Sequence, residues 1–279
     1  MMLTVGDHDR EAAGLRHVYP VLSRRAGGVS IGINLNPNNA CNWRCVYCQV
    51  AGLTRGAAPP IDLALLETEL RGFAHRLVSD RSLLEGVPSN MRRVADLAIS
   101  GNGEPTSAAE FPEVVDLLGR LRAGIPVLRG VELRLITNGS LLDRSSVQRG
   151  IGALGALGGE VWFKVDAGSA AGFRRINGAH VAPRTVARRL RRCAGLCRTW
   201  VQTCVFRMDG AGPPTQEIED YLALLFAAGV ERLQGVLLYG LARRSMQAEA
   251  PRLSSLAAHE MDAIARRLRK AGLAVRVSP

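Results

Sequence analysis

Three cysteines within eight residues are the most reactive feature of this chain. The run Cys41-Asn42-Trp43-Arg44-Cys45-Val46-Tyr47-Cys48 has C-x3-C-x2-C spacing, which lets three thiolates converge on one centre from a single short loop. Thiolates suit iron–sulfur clusters and zinc alike. A structural zinc site closes with four ligands, and the nearest candidate upstream, His17, is well removed from the run. Three ligands on a four-iron cube leave one iron open to a substrate. Zinc ligation and plain unligated thiols stand as the alternatives, although unligated thiols have no reason to adopt this spacing.

Other candidate residues follow apolar runs. Ile99-Ser100-Gly101-Asn102-Gly103-Glu104-Pro105-Thr106 has glycines that let backbone approach a ligand, and a proline that stiffens the exit. Gly-x-Gly turns are also common in any protein. Thr137-Asn138-Gly139-Ser140 contains Asn-Gly, an ordinary turn dipeptide. Lys164 lies inside the apolar run Val161-Trp162-Phe163-Lys164-Val165, where an unpaired ammonium is costly. It should face a lumen anion or pair with Asp166, two residues on and on the same strand face. Gln202 and Cys204 share one face of a later strand, with Arg207 beyond it, and Tyr239 and Arg243 follow the next. Arginines there suit a carboxylate or phosphate. Cys193 and Cys197, four apart on a helix, and Cys204 read as small buried core residues.

The elements that must position these residues alternate. Val29 to Asn36 reads as a strand ended by Pro37, and Asp62 to Ser79 as a helix with Asp62 as N-cap. Strands at 94–100, 131–137, 160–166, 199–206 and 233–239 then alternate with helices at 110–121, 143–157, 183–197 and 215–228. A helix over 255–271 and a short strand over 274–277 close the series. Such βα alternation implies a mostly parallel sheet with chemistry at the carboxyl ends of its strands. Six core strands predict an α/β fold, a partial (β/α)6 TIM-like barrel in a single domain. Residues 1–28 read as an N-terminal extension, and 29–279 as the barrel with a C-terminal helix and short strand.

Composition excludes some classes and leaves others open. At 279 residues and 47% hydrophobic, the chain can bury one large core. It has no apolar stretch long enough to span a bilayer, and Met1 to Asp9 lacks the basic and apolar regions of a signal peptide, so a cytoplasmic protein with no membrane partner is expected. The net charge is +11, and 34 of the 36 basic residues are arginine. Scattered pairs such as Arg24-Arg25 and Arg188-Arg189 read as solvated helix faces more readily than as a nucleic-acid interface.

The cysteine run, with Tyr47 before its last cysteine, resembles the signature of radical S-adenosylmethionine (SAM) enzymes. Gly101-Asn102-Gly103-Glu104-Pro105 resembles that family's Gly-Gly-Glu-Pro motif, with Asn102 inserted. The resemblance implies that Cys41, Cys45 and Cys48 hold a [4Fe-4S] cluster whose fourth iron is chelated by SAM. It further implies that Tyr47 packs near the adenine, that Gly101 to Glu104 hold the methionine amino group, and that Thr137 and Asn138 line the ribose and carboxylate. Gln202 and Tyr239 complete the expected cofactor-binding set, while Lys164 and Asp166 are the expected catalytic pair. The activity implied is reductive cleavage of SAM to a 5′-deoxyadenosyl radical that abstracts hydrogen from substrate. An external one-electron donor such as flavodoxin or ferredoxin is implied as partner. Small-molecule, peptide and RNA substrates, and consumption or regeneration of SAM, all remain open at this stage.

Within that family the sequence looks most like the Fe–S oxidoreductases related to tRNA wyosine synthases. No cysteine precedes Cys41 to supply that enzyme's second cluster, and Lys164 is the one lumen candidate for its Schiff base, so that tRNA reaction is not expected. A non-catalytic Fe–S or zinc RNA-binding module is the alternative from another class, but it gives the glycine-rich strand end no task.

Overall fold

Glu132-Leu133-Arg134-Leu135-Ile136-Thr137 alternates side chains of two kinds, and a strand sends alternate side chains to opposite faces. Leu133 and Leu135 are buried against helices, whereas Arg134 and Ile136 line a central cavity. The computed structural model, which describes residues 14–23, 26–80 and 87–278, repeats this two-sided pattern along its main sheet.

That sheet has eight strands in chain order: β1 (Val18–Ser23), β2 (Gly28–Ile33), β3 (Val94–Ile99), β4 (Glu132–Thr137), β5 (Glu160–Lys164), β6 (Arg198–Cys204), β7 (Gly235–Tyr239) and β8 (Val275–Ser278). Strands β2 to β8 pair in parallel, and β1 pairs antiparallel with β2. Because β1 and β8 do not pair, the barrel stays open. Among the described residues seven α-helices accompany the sheet: α1 (Leu63–Ser79), α2 (Phe111–Gly124), α3 (Ser145–Ala156), α4 (Ala170–Asn177), α5 (Pro183–Leu196), α6 (Thr215–Ala228) and α7 (Ala258–Lys270). Asp62 caps α1 as its sequence implies, accepting from Ala64 N and Leu65 N at 3.0 Å. One continuous apolar core joins the helix-facing strand residues to Leu66, Phe73, Phe111, Ile151, Leu190 and Leu225. The expected α/β class and partial TIM-like barrel are what the chain forms.

Two elements go beyond the sequence reading. The segment before residue 29 contributes β1, whose Pro20 is tolerated because an edge strand has a side that needs no amide donor. Helix α4 is short, and its caps were its signals: Ser169 Oγ accepts from Gly172 N at 2.9 Å, and Gly178 ends the helix with φ +57°. The Met1 to Asp9 start and the Arg24-Arg25 pair lie outside the described residues. Among the described residues, no helix is long and apolar enough to cross a membrane.

Candidate active site

The cysteine loop leaves β2 through an asparagine-rich run, Asn34 to Asn39, whose side chains replace the missing sheet partners. Asn34 Oδ1 accepts from Asn36 N at 3.0 Å and from Asn102 N at 3.1 Å. Asn36 Nδ2 donates to Ala40 O at 2.9 Å, and Asn102 Nδ2 to Asn39 Oδ1 at 2.6 Å. Strand-end residues 101–103 are thereby pressed against the start of the loop. A Cβ on Gly101 would stand 2.3 Å from Asn34 Oδ1, and one on Gly103 2.0 Å from the Ala40 carbonyl oxygen. With φ +150° at Gly101 as well, both positions require glycine for backbone contact within the protein itself.

Two neighbours clamp the rest of the loop. The C-terminal carbonyls of α4 accept from it: Asn177 O from Arg44 N and Ile176 O from Val46 N, each at 2.9 Å. On the other side, Ser245 Oγ donates to Val46 O at 2.7 Å and Met246 N to Cys48 O at 2.9 Å. A loop without strand partners thus has its backbone groups satisfied. Trp43 is buried and packs edge-on against Phe173 of α4, with ring centroids 6.3 Å apart. It therefore has a packing role at the loop's base, whatever it also shields.

Cys41, Cys45 and Cys48 are half-buried, reduced and share the wall of one cavity of about 290 Å³. Burial pushes the Cys41 and Cys45 thiols up to about 12, so at neutral pH they deprotonate only when a cation stands in for the proton. The Trp43 amide donates to Cys41 Sγ at 3.4 Å, and Asn177 Nδ2 donates to Cys45 Sγ at 3.2 Å. Such N–H donors tune sulfur ligands of iron–sulfur clusters. Among the described residues no group of three or more His, Cys, Asp or Glu side chains is gathered to hold a metal ion. The three cysteines of this loop are soft donors, with no carboxylate or imidazole among them, a donor set whose chemistry suits thiolate metal ligation.

Glu104 is buried and fully engaged. Its Oε1 accepts from Thr106 N at 3.1 Å and from the Thr106 and Thr137 hydroxyls at 2.6 Å, and its Oε2 accepts from Asn138 N at 2.7 Å. Burial holds its carboxyl above the ordinary carboxylate range, against the pull of these donors. The carboxylate ties the end of β3 to the end of β4. Asn138 reaches back to the cysteine loop, donating from Nδ2 to Asn42 Oδ1 at 2.9 Å, while Asn42 Nδ2 donates to Ser140 Oγ at 2.7 Å.

Asp166 is the second hub. Its Oδ2 accepts from Tyr47 OH at 2.5 Å and Asn177 Nδ2 at 2.7 Å, and its Oδ1 accepts from Cys204 N at 2.9 Å. Lys164 Nζ stands 3.7 Å from Oδ2 and 3.1 Å from Tyr239 Oη, with the Tyr47 ring centroid 5.0 Å away. Burial alone would lower the Lys164 ammonium, but Asp166 and the neighbouring Tyr239, Cys45 and Cys204 hold it above its ordinary value. Both readings of Lys164 meet here, for it pairs with Asp166 and also lines the cavity.

The cavity collects Cys41, Cys45, Cys48, Tyr47, Gly101, Asn102, Gly103, Glu104, Asn138, Lys164, Gln202, Cys204, Tyr239 and Arg243. Thr137 and Asp166 lie behind its wall and act through Glu104, Tyr47 and the Cys204 amide. Arg207 turns away to Glu260, at 2.6 Å. Cys193 and Cys197 are buried in the helix-side core as expected.

Deeper in the lumen lies a cluster that sequence reasoning missed. Arg134 pairs with Asp96 and, from Nε, with Glu160 Oε1 at 2.7 Å, while Trp162 Nε1 donates to the same oxygen at 2.9 Å. Its signal was present: charges at alternate positions of strands whose other positions are apolar. Asn34, Asn36, Asn42 and Asn177 were missed as well, and only proximity to the cysteine run could have marked the first three.

A family model described as the Radical SAM superfamily matches residues 35–225. A UPF0026 protein of Helicobacter pylori strain J99 is 31% identical over 160 residues, covering 57% of this chain and 44% of that protein. A UPF0026 protein of Methanocaldococcus jannaschii is 28% identical over 161 residues, covering 58% and 43%. The chain thus spans less than half the length of these curated relatives. A radical SAM methyltransferase from Sphaerobacter thermophilus has the same fold, with a TM-score of 0.57 at 14% identity over 93% of this chain and 68% of that one.

Proposed function

Because the chain belongs to the radical SAM superfamily, we propose that it is a radical SAM enzyme whose cluster is held by Cys41, Cys45 and Cys48. One observation carries this reading: three thiols from one loop share a cavity with the ends of β3 to β7. When bound, the cluster supplies the electron that cleaves SAM reductively to methionine and a 5′-deoxyadenosyl radical, which takes hydrogen from a substrate.

The chain's own residues bind and orient. Gly101, Asn102 and Gly103 present backbone at the cavity wall beside the cysteine loop, where the methionine end of SAM fits. Glu104 positions Asn138 there with its four accepted hydrogen bonds. Lys164 supplies the positive charge for a carboxylate, steadied by Tyr239 and Asp166. Tyr47 and Trp43 close the loop's apolar side and exclude water. An external one-electron donor such as flavodoxin or ferredoxin reduces the site.

Anaerobic reconstitution tests this directly. About four irons per chain are expected, with the g-values of a reduced [4Fe-4S] cluster shifting on SAM addition and 5′-deoxyadenosine released under dithionite. Cys45→Ala should lose both cluster and product. Zinc in place of iron, or a full cluster that yields no 5′-deoxyadenosine, would overturn the reading.

A further inference from the structure

Cys204 differs from the other two cysteines outside the loop. It lies on the cavity face of β6, buried, level with Tyr239 of β7 in the sheet register. Its place is fixed relative to the cysteine loop through one carboxylate. The Cys204 amide donates to Asp166, Asp166 accepts from Asn177, and the same Asn177 Nδ2 lies 3.2 Å from Cys45 Sγ. Cys204 packs against Val46 and Phe206 as a small buried residue, and it also stands on the wall of the cavity that the three loop cysteines share.

A second observation marks this wall as a ligand surface. Gln202, two residues before Cys204 on the same strand face, is buried, and its Nε2 has no hydrogen-bond partner. A buried amide donor left unsatisfied costs free energy that an acceptor on a bound molecule would recover. A ligand that reaches Gln202 therefore lies along the strand face that carries the Cys204 thiol.

We propose that Cys204 is a hydrogen-atom donor to a carbon radical formed in this cavity, a role that rests on the radical reading above. Thiol S–H bonds are weaker than aliphatic C–H bonds, so transfer from sulfur to carbon runs downhill. The carbon radical gains the hydrogen atom through a new C–H bond, the S–H bond breaks homolytically, and a thiyl radical is left on Cys204. One electron from the low-potential donor and one proton from water restore the thiol. The product thus carries one hydrogen of solvent origin, and SAM is consumed as a co-substrate.

The test needs no identified substrate. Reconstituted protein exchanged into D2O is given SAM and dithionite, so that the only carbon radical is the one derived from SAM. The readout is deuterium per molecule of 5′-deoxyadenosine formed, which does not depend on turnover rate. Wild type should give mostly singly deuterated product; Cys204→Ala and Cys204→Ser should lower that content at least fivefold, and Cys193→Ala, a thiol of the helix-side core, should leave it high. With a nitrone spin trap, the tryptic peptide Thr199–Arg207, in which Cys204 is the one cysteine, should carry an adduct at Cys204 only when SAM and reductant are both present. Undeuterated product from wild type, equal deuterium in the Cys204 variants, or no adduct at Cys204 would overturn the proposal and leave the radical reading standing. No 5′-deoxyadenosine from cluster-loaded wild type would overturn both.

Discussion

Glu104 is an acid placed where a family motif expects a ligand contact, yet its oxygens already accept four hydrogen bonds from within the protein. Its first task is to hold two strand ends in register around the cavity. Glu104→Ala leaves the buried amides of Thr106 and Asn138 without acceptors, and each such loss costs about 1–3 kcal/mol. The variant should therefore lose about 2 kcal/mol or more in urea unfolding of the cluster-free protein, a measurement in which SAM plays no part. A loss within 1 kcal/mol would show that water or rearrangement replaces the carboxylate. Glu104→Gln should fall between, because it keeps the oxygen that serves three donors and faces the Asn138 amide with a second donor.

Elements are held in place by contacts of differing worth. Asp143, just before α3, meets Arg188, Arg189 and Arg192 of α5 at 3.3, 2.8 and 3.5 Å. Slight burial works against the carboxylate, but Arg189 foremost and then Arg188 and Arg192 hold it below the usual range. A carboxyl lowered in the folded state contributes stability above its unfolded value and loses it as pH falls through the folded one. The group is also well exposed, so Asp143→Asn should cost under about 1 kcal/mol at pH 7. The gap in thermal midpoint from wild type should close toward pH 3 and in 1 M KCl. A gap that persists in both conditions would assign Asp143 to packing instead. The strand–helix series itself was legible from apolar period, as Leu133/Leu135 and Leu66/Leu70/Phe73 show, because burial against one core imposes that period. Strand β1 and helix α4 were not legible, since Pro20 disguises an edge strand and eight residues give too few turns for a period to register. The site divided in the same way. The cysteine loop was readable because its three cysteines lie within eight residues, whereas Asn177, Asp96 and Arg134 meet their partners only through the fold.

Across the whole molecule, the charge of +11 raises the question of an RNA surface. Many arginines are spent singly on acids of other elements: Arg44 on Glu249, Arg198 on Glu132, Arg207 on Glu260, Arg252 on Asp209 and Arg267 on Glu219. Charges dispersed in this way attract phosphates without reading bases, because base readout needs side chains gathered at one groove or stacking platform. Binding of a single-stranded RNA oligonucleotide, followed by fluorescence anisotropy, should therefore be weak, indifferent to sequence and strongly dependent on salt. With about five phosphate contacts and a slope of about −0.7 per contact, affinity should fall roughly a hundredfold between 50 and 200 mM KCl. Nanomolar binding that survives 200 mM KCl and discriminates between sequences would instead require a built RNA surface, and would make an RNA base the first substrate to present to the cavity.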